Sequence, residues 1–166
     1  PFDLKSVDEL EIIGCNFYKV ASADIVHIPL IEKIARINKP IILSTGYSTY
    51  SDIDRAVTKL DEFKSNYSLL HCTASYPAKV EDMNLNCIPK MIQKYPNALS
   101  IGLSDHENGI DCATIAYLLG ARIFEKHFTL NRSNKGTDNA FSLEPQGMKK
   151  LVRNIKRINI AIGNSS

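Results

Sequence analysis

The sequence predicts an α/β protein, part of a (β/α)8 TIM barrel with about five β/α units. Three observations point there. Short apolar, strand-like runs alternate with helix-like patterns along the whole chain. No hairpin signal joins two such runs; Asn108-Gly109 precedes a helical pattern instead, so the sheet is expected to be parallel. Polar side chains recur where the runs end: Lys19 and Ser22, Ser44 and Thr45, Thr73, Ser104 to His106, then Lys126 and His127. Repeated chemistry at strand ends is how a barrel furnishes its catalytic face.

Ser6-Val7-Asp8-Glu9 has the form of a capping box and predicts a helix that runs to about Ile13, with Gly14 as its stop. A strand is expected over 17–22, a helix over 29–37 and a strand over 40–45. Ser51 opens a helix through about Phe63, and 67–73 reads as a strand. A weaker helix containing Pro89 covers 85–95, a strand 99–103, and a helix 109–119 ends at Gly120. The last strand is expected over 122–127, and an amphipathic helix, Pro145–Ile162, closes the series.

A complete barrel takes about 250 residues, so a chain of 166 residues falls short by several units. Pro1 is not an initiation residue, and the chain is expected to begin inside a longer protein. The competing architecture is a five-stranded doubly wound domain. As a dinucleotide binder it needs a Gly-rich first βα turn, and Ser44-Thr45-Gly46 is too generic to serve.

A composition that is 44% hydrophobic and 23% charged can build a core, and a net charge of +2 is too weak to hold nucleic acid or an anionic membrane nonspecifically. No apolar run approaches the roughly 20 residues of a membrane helix, and no signal peptide opens the chain. Cys15, Cys72, Cys87 and Cys112 show no C-x-x-C pairing and read as reduced thiols of a cytoplasmic protein. His71 and Cys72 are strand neighbours that face opposite ways, which excludes them as a base and nucleophile pair.

His106 and His127 follow adjacent strand patterns with carboxylates nearby, which suits a divalent cation that keeps positions open for substrate. A packed or capping role is the alternative for each. His71 reads as structural and His27 as a loop residue. Lys19 and Lys126 lie within strand-like runs, where an unpaired ammonium is costly to bury. Each must meet an anion, form a Schiff base or reach solvent. Ser22, Ser44 and Ser104 supply hydroxyl donors at equivalent strand ends, which favours phosphate or carboxylate binding. The polar stretch 131–139 is either a substrate-covering loop or a plain connection, and Glu144 is placed for the positive end of the final helix.

Six segments occur together in order: Tyr18-Lys19-Val20-Ala21-Ser22, Pro40-Ile41-Ile42-Leu43-Ser44-Thr45-Gly46, Leu70-His71-Cys72-Thr73 with Tyr76-Pro77, Gly102-Leu103-Ser104-Asp105-His106, Glu125-Lys126-His127-Phe128-Thr129 and Ser142-Leu143-Glu144-Pro145. As an ordered set, they resemble the sialic acid synthase family, which includes the N-acetylneuraminate, legionaminate and pseudaminate synthases. The resemblance implies a TIM-barrel domain that condenses phosphoenolpyruvate with an N-acetylated hexosamine, usually N-acetylmannosamine, to give a nine-carbon 2-keto acid and phosphate. It implies a divalent metal, Mn2+ or Mg2+, held by His106 and His127. It implies phosphoenolpyruvate contacts from Lys19, Ser22, Ser44 and Ser104, and sugar contacts from Tyr76 and Asp138. It also implies a homodimer, with upstream barrel strands and a C-terminal antifreeze-like domain outside this chain.

The chain departs from the family pattern at Ala74, where a polar residue is usual, at Lys135-Gly136-Thr137, and at Asn139. Ser75 is a candidate to replace the hydrogen bond missing at Ala74. Two other functions compete: a Schiff-base aldolase that uses Lys19 or Lys126, and a truncated, noncatalytic barrel acting as an assembly module.

Overall fold

The computed structural model describes residues 1–163. Its elements run α1 Leu4–Ile13, β1 Tyr18–Val20, α2 Ile28–Ile37, β2 Ile41–Ser44, α3 Tyr50–Glu62, β3 Tyr67–Cys72, α4 Cys87–Lys94, β4 Ser100–Asp105, α5 Asp111–Leu118, β5 Ile123–Lys126 and α6 Pro145–Ile162. The five strands form one sheet in consecutive order, and every neighbouring pair is parallel. A doubly wound sheet reverses its strand order at a switch point. No reversal occurs here, and the architecture is a half-barrel.

The strand register sorts side chains onto two faces. Val20, Leu43, Leu69, Ile101 and Leu103 face the helices and are fully or almost fully buried with Leu30, Ile34, Leu60, Ile88 and Ala116. Each large side chain in this layer contributes about 1.5–3 kcal/mol of burial. The other face carries Lys19, Ile42, Ser44, Leu70, Cys72, Gly102, Ser104 and Glu125, whose registers are linked across the sheet. Lys19 Nζ on the first strand lies 3.3 Å from Glu125 Oε2 on the last. Flat strands four spacings apart are separated by about 19 Å, beyond the joint reach of these two side chains, so the sheet curls and this face is concave.

Helix boundaries follow their caps. α1 starts earlier than the Ser6 box predicts, because Asp3 accepts from the Ser6 N–H at 2.8 Å and from its hydroxyl at 2.9 Å. Glu9 instead pairs with Lys5 on the surface, at 3.7 Å. Gly14 ends the helix as expected, at φ 80°. Thr49 and Asp52 form the capping box of α3, one residue ahead of the predicted opening. Pro89 is tolerated because it lies in the first turn of α4. β4 extends past Leu103 to Asp105, since its ladder with β5 continues to the Asp105–Lys126 pair. β1 is shorter than expected, and Ser22 begins a 3-10 turn, Ser22–Asp24. All four cysteines are free thiols. Among the described residues, no helix is long and apolar enough to cross a membrane.

Candidate active site

The C-terminal ends of the strands bring two groups of polar side chains to one hollow. The first is built on Lys19, whose ammonium meets Glu125 and donates to the Val20 carbonyl at 3.1 Å. Ser104 Oγ donates to Glu125 Oε1 at 2.6 Å, so one carboxylate ties β4 and β1 to β5. Ser22 Oγ accepts from the Gly46 N–H at 3.0 Å and lies 3.5 Å from Cys72 Sγ. A Cβ at Gly46 would stand 2.9 Å from Cys72 Sγ and 3.0 Å from both Ala74 Cβ and Ser22 Oγ. Only glycine lets these strand ends crowd together. The Ser44 hydroxyl is 2% exposed and has no hydrogen-bond partner among the described residues. Buried hydroxyls seldom go unpaired, which marks Ser44 as a candidate ligand contact.

The second group surrounds the histidines. The His106 and His127 rings lie 5.2 Å apart at 72°. His106 Nδ1 is 3.0 Å from the Thr73 carbonyl. A carbonyl can only accept, so Nδ1 carries a proton, and Nε2 is the ring nitrogen not taken up by this bond. His127 Nδ1 lies 3.6 Å from Asp138 Oδ2. Burial, then the nearby His106, pulls the His127 pKa below that of a free imidazole, with Asp138 opposing. Tyr76 stacks on His106 with ring centres 4.2 Å apart, and Phe141 lies 5.0 Å from His127. Cys72 Sγ, 4.0 Å from His106 Nδ1, joins the two groups. The two imidazoles offer two nitrogen donors of the kind a divalent cation takes; among the described residues, no group of three His, Cys, Asp or Glu could hold one unaided.

Lys126 meets an anion, as expected of a buried ammonium, but one that the chain itself supplies. It points to the helix face, where its ammonium meets Asp105 rather than an external anion. His71 is structural as expected, its Nε2 being 2.7 Å from the Met83 carbonyl. The Ser75 hydroxyl donates to the Pro77 carbonyl at 3.2 Å. Asn139 closes its own loop through the Asn134 and Lys135 carbonyls, each at 3.3 Å. Glu144 accepts from the Arg132 N–H at 3.0 Å, and its side chain does not cap α6. Arg132 also ties the exposed loop to the Ala140 carbonyl and to Asn108 Oδ1.

Glu125 and Phe141 were given no role by sequence reasoning, and Cys72 was weighed only as a nucleophile beside His71. Counting by twos from the Gly102–Ile123 pair, which brings Ser104 opposite Glu125 on the same face, would have found the first. The contact of Phe141 depends on how a long loop returns. A groove of about 590 Å³ runs beside the outer edge of β5, between the concave face and α6, lined by Ile42, Leu70, Phe124, Met148 and Val152 with Lys19 at its rim.

A parallel half-barrel with its polar residues gathered at the strand C-termini defines a protein of the TIM-barrel class. More narrowly, the chain belongs to the NeuB family, whose model matches residues 1–166. It is 41% identical to the N,N'-diacetyllegionaminic acid synthase of Campylobacter jejuni, over 99% of this chain and 49% of that protein. It is 40% identical to the pseudaminic acid synthase of Helicobacter pylori, over 98% of this chain and 48% of that protein. The crystal structure of the N-acetylneuraminic acid synthetase of Leptospira borgpetersenii, in complex with citrate, superposes with a TM-score of 0.95 at 39% identity, covering 100% of this chain and 57% of that one. The chain thus spans about half the length of the curated relatives it matches.

Proposed function

We propose that the protein containing this chain condenses phosphoenolpyruvate with an N-acetylated hexosamine, N-acetylmannosamine or a relative, to give a nine-carbon 2-keto acid and phosphate. The chain is read as part of the synthase barrel domain of a cytoplasmic homodimer. The observation that carries the reading is the unpartnered, buried Ser44 hydroxyl, on the same concave face as the Lys19–Glu125 pair. Names of the aligned relatives support the same class of reaction.

Lys19, Ser22, Ser44 and Ser104 bind the phosphate and carboxylate of phosphoenolpyruvate, fixing its methylene carbon toward the histidines. His106 and His127 hold a divalent cation, Mn2+ or Mg2+, which supplies Lewis-acid polarisation of the sugar aldehyde when bound. Tyr76 and Asp138 orient the sugar. The methylene carbon forms the new C–C bond to the aldehyde carbon, whose oxygen takes up a proton. Water then adds at C2 of the former phosphoenolpyruvate and gives up its proton. The C2–O bond to phosphate breaks with its electron pair leaving on phosphate, which takes up the proton of the C2 hydroxyl as the keto group forms. The Lys19 ammonium and the serine hydroxyls stabilise the departing anion.

The test is phosphate release from phosphoenolpyruvate by the full-length protein with N-acetylmannosamine and other N-acetyl hexosamines. Sugar-dependent release that is lost in His127→Ala supports the reading. Absence of release with every sugar, in protein that is folded and loaded with Mn2+, would overturn it.

A further inference from the structure

We propose that the buried Asp105–Lys126 pair is a positioning unit that fixes His106 and His127 relative to one another. The inference rests on the reading of those histidines as the cation-holding pair. Asp105 and Lys126 are the last partners in the β4–β5 ladder, and each is followed directly by one of the histidines. Their side chains are 1% and 3% exposed, and Lys126 Nζ lies 2.9 Å from Asp105 Oδ2. That oxygen receives no hydrogen bond of regular geometry among the described residues, so the ammonium is its electrostatic partner.

The pair also grips the backbone beyond His106. Asp105 Oδ1 accepts from the Glu107 N–H at 2.9 Å, and the Lys126 ammonium donates to the Glu107 carbonyl. Both backbone polar groups of Glu107 are thereby tied to one ion pair, and His106 is bracketed between two fixed residues. His106 is held further by its own carbonyl, which accepts from the Ala78 N–H at 3.0 Å, and by its ring bond to Thr73. On β5, the residue before His127 is the cation of the same pair.

The pair faces away from the hollow. Ser104 and Glu125, one residue earlier on each strand, point inward. Cys112 of α5 lies on the same side as the pair, its thiol pushed up to about 11 by burial first and then by Asp105. Asp105 and Lys126 therefore act on the histidines through the strands, without contact with substrate. A buried ion pair is often no more stabilising than well-packed apolar residues, so its use here is in register and orientation.

The test uses the full-length protein and the double substitution Asp105→Asn with Lys126→Met, which removes both charges and leaves neither orphaned. Mn2+ affinity is read by electron paramagnetic resonance, kcat and KM by phosphate release, and the imidazole tautomers of the metal-free protein by 15N NMR. The expected result is Mn2+ binding weaker by about 10- to 100-fold, a lower kcat, an unchanged KM for phosphoenolpyruvate, and loss of the single Nδ1–H form of His106. A folded double variant with wild-type affinity, kcat and imidazole spectrum overturns the proposal. If the wild type and His127→Ala bind Mn2+ alike, the cation reading fails, and the metal-free spectra alone decide the positioning claim: a changed His106 pattern upholds it and an unchanged one overturns it. Should the double variant not fold, Asp105→Asn with Lys126→Leu carries the same comparison, because it again leaves no buried charge orphaned and keeps an acceptor for the Glu107 N–H.

Discussion

Replacing Gly102 by alanine tests whether the close approach of β4 and β5 holds the site together. Gly102 pairs with Ile123, and a Cβ there would lie 2.2 Å from the Ile123 carbonyl oxygen and 2.6 Å from Leu70 Cδ2. The leucine methyl can rotate aside, but the carbonyl is backbone. Relieving its overlap opens the strands by about 1 Å, which weakens the two flanking ladder bonds at about 1 kcal/mol each. Overpacking strain adds about 1–3 kcal/mol, so the expected loss is about 3–5 kcal/mol. The same movement carries Glu125 from Ser104 and His127 from His106, and a 1 Å misplacement lowers kcat by about 100-fold. Urea unfolding of the full-length protein, followed by circular dichroism, measures the first effect, and phosphate release the second. Gly14→Ala is the control: it has a positive φ of 80° but no atom within 4 Å, so it suffers only the left-handed backbone penalty of about 1–2 kcal/mol. If Gly102→Ala proves no more destabilising than this control, the steric argument is wrong.

Three other outcomes are expected. Lys19→Met should raise KM for phosphoenolpyruvate by about 10- to 100-fold, the equivalent of one charge-assisted hydrogen bond, while changing stability by no more than about 1 kcal/mol because its pair with Glu125 is part exposed; steady-state kinetics and thermal melts check both. Burial depresses the His71 pKa, with the Met83 carbonyl opposing, so the unfolded chain takes up that proton first. Its contribution to stability is full above about pH 6.5 and falls as pH drops below it; urea midpoints at pH 7.5 and 5.5 should converge in His71→Gln. Iodoacetamide at pH 8 should label Cys15 and Cys87, which are part exposed, before Cys112, whose thiol is buried and pushed up to about 11; peptide mass mapping gives the order.

The order of elements was legible because most strands are short and largely apolar and because α2, α3, α4 and α6 each carry a 3.6-residue apolar stripe. The limits of the elements were less so. Ser6-x-x-Glu9 and Asp3-x-x-Ser6 are both plausible caps by composition, and only the geometry of Asp3 decides between them. The extent of β4 depended on its partner, since Ser104 and Asp105 are polar yet stay in the ladder with β5. At the site, the strand-end rule picked out Lys19, Ser22, Ser44, Ser104, His106 and His127 without any knowledge of their neighbours. It could not say that the anion met by Lys126 is Asp105, because that requires knowing which face of β5 turns toward α5. Nor could it find the contact of Cys72 with Ser22 and His106, which arises from crowding over Gly46.

The bridge from Lys19 to Glu125 also bears on how the chain reaches this shape. The two residues lie roughly a hundred positions apart, and closing so long a loop without intervening structure costs about 4 kcal/mol. A half-exposed ion pair contributes at most about 1 kcal/mol, so it cannot nucleate anything. Neighbouring β/α units, whose contacts are local, assemble first, and the bridge closes only when all five strands are paired and curled. Substitutions at either end of it should leave the folding rate unchanged and accelerate unfolding, and a donor and acceptor dye attached at these two positions would record the last step of assembly.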